Sequence, residues 1–143
     1  MSGRILGLDL GRRRVGVALT DELLISAQPL PPLEIRGLAD LLDQLAPLIA
    51  GNNVAEVVLG RPTKLDGTDT DATGLADRAR DKIAERFGLP VHLYDERFTS
   101  KIAQQAIFQS GLKLKNKKKA LDSISASLIL SDFLKLHVKK DSH

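Results

Sequence analysis

Four acidic residues stand in three places where acids are uncommon. Asp9 interrupts the apolar run "RILGLDL", Asp95 and Glu96 close "VHLYDE", and Asp122 is the only charged residue within "ALDSISASLIL". Carboxylates brought to ~4 Å repel by about 4 kcal/mol per pair at an effective dielectric near 20. A cluster of them therefore needs a cation, and a divalent one reverses the sign. Oxygen-only ligands favour Mg²⁺ or Mn²⁺ over zinc. The chain has no cysteine, which removes zinc–thiolate sites, disulfides and thiol nucleophiles together. His92 lies on a strand and His137 and His143 lie near the end, and none is assigned catalysis. Each acid also has a plain structural alternative: Asp9 as a turn acid before Gly11, and the others as acids near helix N-termini, where negative charge is favoured.

Beside Asp9 stand three cations, Arg12, Arg13 and Arg14, in "LDLGRRRVG". The net charge of +3 hides a segregation. Residues 1–14 carry +3, residues 15–96 carry −7, residues 97–121 carry +7, and the last 22 residues balance. An acidic body with two basic segments suggests a localised anion-binding surface. The alternative for "KLKNKKK" is a solvated loop. Aromatics make up 3% of the chain and tryptophan is missing, so base stacking is not the obvious grip. Structured or duplex nucleic acid suits such a surface better than a single strand.

These residues must be held by a scaffold. At 143 residues the chain suits one domain, able to hide roughly 70% of its unfolded surface. The expected boundaries are 1–138 for the domain and 139–143 for a flexible tail. No apolar stretch reaches the ~20 residues of a membrane span. The acid in "MSGRILGLDLG" makes it a poor signal peptide, so a cytoplasmic location is expected. "RILGLDL" and "RVGVALTD" predict two strands joined by a hairpin at Gly11 to Arg13. "ISAQPL" predicts a short third strand ended by Pro31 and Pro32. "GLADLLDQLAPLIAG" carries a helical apolar stripe, kinked near Pro47 and stopped by Gly51. "AEVVLG" predicts a strand, 73–87 a helix, and "VHLYD" another strand. "TSKIAQQAIFQSG" predicts a helix capped by Thr99, and 119–137 a last one. This order, β-β-β-α-β-α-β-α-α, implies a mixed sheet with helices on both faces.

Ligands of open α/β sheets bind outside the carboxyl ends of strands. Taking "VHLYDE" as the fourth long apolar strand, its adjacency to the first would bring Asp9 to the acids at its end. A helix packed at that edge adds Asp122. Positions three and four after Asp122 are Ser125 and Ala126, whose small size is expected to leave space above that face. Spacing alone does not choose between Asp95 and Glu96.

The segments "ILGLDLGRRRVGVALTD", "VVLGRPTKLDGT", "YDERFTS" and "KKALDSISASLIL" resemble, in that order, the YqgF/RuvX family of Holliday-junction resolvases, also assigned as pre-16S rRNA processing nucleases. The resemblance covers nearly the whole chain. It implies an RNase H-like α/β fold, with a five-stranded mixed sheet of order 3-2-1-4-5 that sets the first and fourth strands side by side. It also implies metal-dependent phosphodiester cleavage in Mg²⁺ or Mn²⁺. The family's acids carry over to Asp9 in "LDLG", Glu96 in "YDER" and Asp122 in "KALDS", as catalytic residues and metal ligands. Asp9 would bridge two metals, with Glu96 and Asp122 each holding one, for an in-line displacement. Arg12, Arg13, Arg14 and Arg97 become candidates for phosphates near the cut. Lys113, Lys115, Lys117, Lys118 and Lys119 would grip backbone further out without reading sequence. Two departures from the family pattern are Arg61, between Gly60 and Pro62, and the serines 123, 125 and 127; neither touches an acid.

The residues also admit two rival readings. "LDLGRRRVGVALTD" also resembles the first phosphate motif of actin-like and sugar kinases, but this chain is long enough for only one of their two lobes. A catalytically idle nucleic-acid-binding protein would keep the basic segments and use the acids structurally. The partner is nucleic acid in either nuclease reading, precursor rRNA or branched DNA. A four-way junction, cut on two strands, favours a homodimer, although no apolar stripe is left over to mark the interface.

Overall fold

The computed structural model of the chain describes residues 3–11, 13–61, 71–95 and 124–135. Its elements are β1 (Arg4–Leu10), β2 (Arg14–Thr20), β3 (Ala27–Glu34), α1 (Leu38–Gly51), β4 (Val54–Arg61), α2 (Asp71–Phe87) and β5 (Val91–Asp95), followed by α3, residues 124–135. The expected helix at 99–111, the basic loop and the tail 139–143 lie outside the described residues.

The sheet order is β3-β2-β1-β4-β5, as expected from the resemblance. β1 pairs antiparallel with β2 and parallel with β4, and β4 pairs parallel with β5. Counted with β3, the strand ending at Asp95 is the fifth. The neighbour of β1 is therefore "AEVVLG", not "VHLYDE", which corrects the adjacency expected from the sequence. One strand intervenes, so the ends of β1 and β5 stand about 10 Å apart across the sheet.

The hairpin between β1 and β2 is closed by the Gly11 N–H, which donates to the Arg14 carbonyl at 2.9 Å. A Cβ on Gly11 would lie 2.6 Å from that same oxygen, so only glycine fits this close approach. β3 runs through Pro31 and Pro32 instead of ending there. It is an edge strand, where a missing N–H costs no ladder bond. The register steps from Val15↔Leu33 to Val17↔Leu30, a bulge that absorbs the two prolines.

Strand alternation sends side chains to two faces. Leu6, Leu8 and Leu10 of β1, with Val57 and Leu59 of β4, join Leu41 and Leu45 of α1 and Ala76, Ala79 and Ile83 of α2 in the larger core. Ile5, Ala18 and Val58 form the smaller core with Ala126, Ile129, Leu130 and Leu134 of α3. Helices thus cover both faces. α1 continues past Pro47 to Gly51, where the Asn52 side chain donates to the Leu48 carbonyl at 2.9 Å.

The loop from β2 to β3 is held by Asp21, whose Oδ1 accepts the N–H groups of Ile25 at 2.7 Å and Ser26 at 3.1 Å. The Ser26 N–H, more than any other group, holds this carboxyl below its ordinary value; burial opposes it and Ile25 assists. A depressed carboxyl contributes order that is present above its unfolded pKa and lost as pH falls through the folded one. The loop, with Leu23 and Ile25 exposed on it, should therefore stay ordered at neutral pH and loosen only below the ordinary carboxylate range. Amide exchange at Ile25 and Ser26 checks this. The Asp21→Asn variant should lose the pH dependence at those two amides.

Candidate metal and phosphate-binding site

Asp9 is the one proposed acid within the described residues. It lies one residue before the end of β1, half-buried, opposite Gly16 in the β1–β2 register. It alternates with Ile5 and Gly7, so it belongs to the α3 face of the sheet. On its other side Leu8 is partnered by Leu59, and Gly60 is the next residue of β4. Three glycines, 7, 16 and 60, therefore surround Asp9 on the two neighbouring strands and its own. No side chain at these positions competes for the space beside the carboxylate. The carboxylate stands at the carboxyl end of a central strand, where open sheets bind ligands.

The setting of α3 is fixed by Gly7. A Cβ there would come within 3.2 Å of the Ala126 carbonyl oxygen and 3.2 Å of the Leu130 Cβ. The small residues of α3 are accordingly packed against β1, with Ala126 fully buried and Ser125 6% exposed. They allow the helix to approach the strand; the open space expected above them is filled by the sheet. The direction of α3 follows from its far end. Leu134 joins Ile5 in the smaller core, and Leu128, Ser131, Leu134 and Lys135 border a groove with Leu24 to Ala27. Thr20 Oγ1 accepts the Ile5 N–H at 2.8 Å, which places that region at the amino end of β1. α3 thus runs against β1, its N-terminal end toward Asp9.

β5 is tied to α3 by two contacts. The Tyr94 hydroxyl donates to Asp132 Oδ2 at 3.0 Å, and the His92 ring lies 5.0 Å from that of Phe133. His92 and Tyr94 therefore face α3, while Leu93 and Val91 face the larger core. His92 Nε2 is 3.1 Å from Glu56 Oε1, a half-exposed contact that marks no catalytic role.

Arg13 is exposed at the hairpin tip, and Arg14, half-buried, opens β2. Arg12, Glu96, Arg97, Lys113, Lys115, Lys117, Lys118, Lys119 and Asp122 lie outside the described residues. Among the described residues there is accordingly no group of three acids and histidines that could hold a metal ion. Three features escaped the sequence reading: Gly7 as the contact point of α3, the Tyr94–Asp132 link, and Arg36 beside the hairpin tip. A glycine inside a strand signals close backbone approach, so the first was open to discovery. The other two join residues distant in sequence, and nothing local marks them.

A mixed five-stranded sheet of this order, with helices on both faces and a carboxylate at the end of its central strand, defines an RNase H-like protein. The fold comparison agrees. Thermus thermophilus RuvC, solved in complex with a Holliday junction substrate, superposes with a TM-score of 0.60 at 12% identity, over 95% of this chain and 96% of that one. The fowlpox virus resolvase, solved with Holliday junction DNA, gives 0.56 at 11% identity, over 94% and 99%. By sequence, the chain belongs to the RuvX family, described as Holliday junction resolvase, whose model matches residues 3–136. Relatives from Koribacter versatilis and Lactococcus lactis, each named "Putative pre-16S rRNA nuclease", are 41% and 39% identical. The first alignment covers 92% of this chain and 86% of the relative, the second 98% and 99%. No helix among the described residues is long and apolar enough to cross a membrane.

Proposed function

We propose that this chain is a divalent-metal-dependent nuclease that hydrolyses phosphodiester bonds of structured nucleic acid, in precursor 16S rRNA, branched DNA or both. The observation that carries this reading is Asp9, half-buried at the carboxyl end of the central strand among glycines, in a chain of the RuvX family. Family membership disfavours the single kinase-like lobe.

Glu96 and Asp122 complete the proposed ligand set. Of the two adjacent acids, the family pattern in "YDER" supports Glu96 over Asp95. α3 runs against β1 with its N-terminal end toward Asp9, and Asp122 precedes that end in the sequence, which supports Asp122 as the partner of Asp9. When bound, Mg²⁺ or Mn²⁺ acidifies a water and stabilises phosphate charge. Asp9 holds its carboxylate rigidly on the sheet, and Arg12, Arg13, Arg14 and Arg97 orient the phosphates on either side of the cut. The five lysines between 113 and 119 hold backbone at a distance. On a four-way junction, two copies of the chain would act, one on each cut strand.

The test is a panel of precursor rRNA fragments, duplex RNA and four-way DNA junctions, with Mg²⁺ or Mn²⁺ against chelator, and with product ends mapped. Metal-dependent cleavage of at least one substrate is expected, lost in Glu96→Gln and Asp122→Asn. Cleavage that survives chelation, or those two substitutions, rejects the ligand set.

A further inference from the structure

A second charged feature lies at the same end of the sheet, on the α1 side of the hairpin tip. A cleft of about 470 Å³ opens between the tip and the start of α1, lined by Arg13, Arg14, Glu34, Ile35, Arg36 and Asp40. Its walls are fixed. The Arg13 carbonyl accepts the Ile35 N–H at 2.8 Å, tying the tip to the segment that enters α1. The Arg36 N–H donates to Asp40 Oδ2 at 2.9 Å, and Gln44 Nε2 donates to that oxygen at 3.2 Å and to the Glu34 carbonyl at 2.7 Å.

The charges in the cleft do not cancel. Arg14 and Glu34 are cross-strand partners in the β2–β3 register. Asp40 is turned toward backbone and amide donors, with no ion pair to an arginine among the described residues. Arg13 and Arg36 likewise have no side-chain partner among the described residues, yet both border the cleft. Guanidinium groups without an ion-pair partner present forked donors suited to phosphate oxygens.

We propose that this cleft binds a backbone phosphate of the nucleic acid, with Arg36 and Arg13 as its ligands, close along the strand to the phosphate that is cut. Asp9 stands two strand residues from Gly11, where the hairpin turns, a span of roughly 7 Å. The cleft opens beyond that turn, so a nucleic-acid strand that reaches Asp9, advancing about 3.4 Å per nucleotide along its axis, passes the cleft within a few nucleotides. The cleft lies on the α1 face and Asp9 on the α3 face, so the strand is held across the end of the sheet. Arg36 thereby sets which phosphate rests at Asp9. This site extends the nuclease reading but is tested without cleavage.

The experiment measures binding of a short RNA duplex and of a four-way DNA junction in chelator, across a range of salt, for wild type, Arg36→Gln and Arg36→Lys. One phosphate contact contributes about 0.9 to the slope of log affinity against log salt. Arg36→Gln should lower the slope by about that amount and weaken binding roughly three- to tenfold at physiological salt. Arg36→Lys should retain the slope, because it keeps the charge, and the thermal midpoint should be unchanged in both. A slope in Arg36→Gln equal to wild type overturns the inference. Failure of the wild type to bind either probe overturns it together with the nuclease reading. Binding that depends on Arg36 without cleavage in metal sustains the site and removes only the nuclease.

Discussion

Asp9→Asn yields a chain that folds and binds nucleic acid in chelator as wild type does, but cleaves about a thousandfold more slowly in Mg²⁺ or Mn²⁺. The substitution replaces one carboxylate oxygen by an amide of nearly the same shape, so the packing around β1 is preserved. What it removes is the negative charge that would hold a cation beside the scissile phosphate. A metal ion contributes several kcal/mol to transition-state charge stabilisation, and each ~1.4 kcal/mol is a factor of ten in rate. Three decades follow. Single-turnover cleavage under saturating enzyme measures the effect free of any change in affinity. A rate within a few-fold of wild type would show that Asp9 shapes the hairpin and does nothing to the phosphate.

Gly7→Val separates positioning from chemistry. Valine is a better strand former than glycine, so local propensity alone forecasts a gain in stability. Packing forecasts the opposite sign, since the first added carbon already meets the Ala126 carbonyl oxygen and the Leu130 Cβ at 3.2 Å. Overpacking of this kind costs about 1–3 kcal/mol. The loss should appear as a lower urea midpoint, with faster amide exchange concentrated in α3. Cleavage should fall at temperatures where the protein is still folded, because α3 can no longer lie flat on β1. Pairing the change with Leu130→Ala should give less than the sum of the two losses, as expected for residues in contact. A Gly7→Val variant more stable than wild type would mean that α3 is not seated on this strand.

The fold was largely legible in the residues, and the site less so. The alternation of "RILGLDL" and "RVGVALTD", with Gly11 between them, dictates the opening hairpin. The stripe of Leu41, Leu45 and their neighbours dictates α1. β3 was underestimated because prolines signal a strand end in general, whereas an unpaired edge removes their penalty. The neighbour of β1 was misjudged because strand order is a tertiary property: nothing in "VHLYDE" states that β4 will insert beside β1 first. Asp9 announced itself as an acid in an apolar run. Glu96 required the family resemblance, since the spacing of two adjacent acids does not choose between them. The small residues after Asp122 were visible, but whether they leave a gap or admit a neighbour depends on Gly7, more than a hundred positions away. Arg36 was invisible for a similar reason, as its role arises from a hairpin tip brought to it by the Arg13–Ile35 hydrogen bond.

The covering of β1 by α3 also orders events during synthesis. β1, β2 and β4 are complete once residue 61 has been made, yet the face that bears Ile5, Ala18, Val58 and Asp9 is closed by residues 124–135. At about 5–20 residues per second, the ribosome leaves that face bare for roughly 4 to 15 s. A nascent chain in this interval carries an apolar surface for a chaperone to protect, and it has Asp9 without α3. A site that requires α3 is therefore incomplete until translation has passed residue 135.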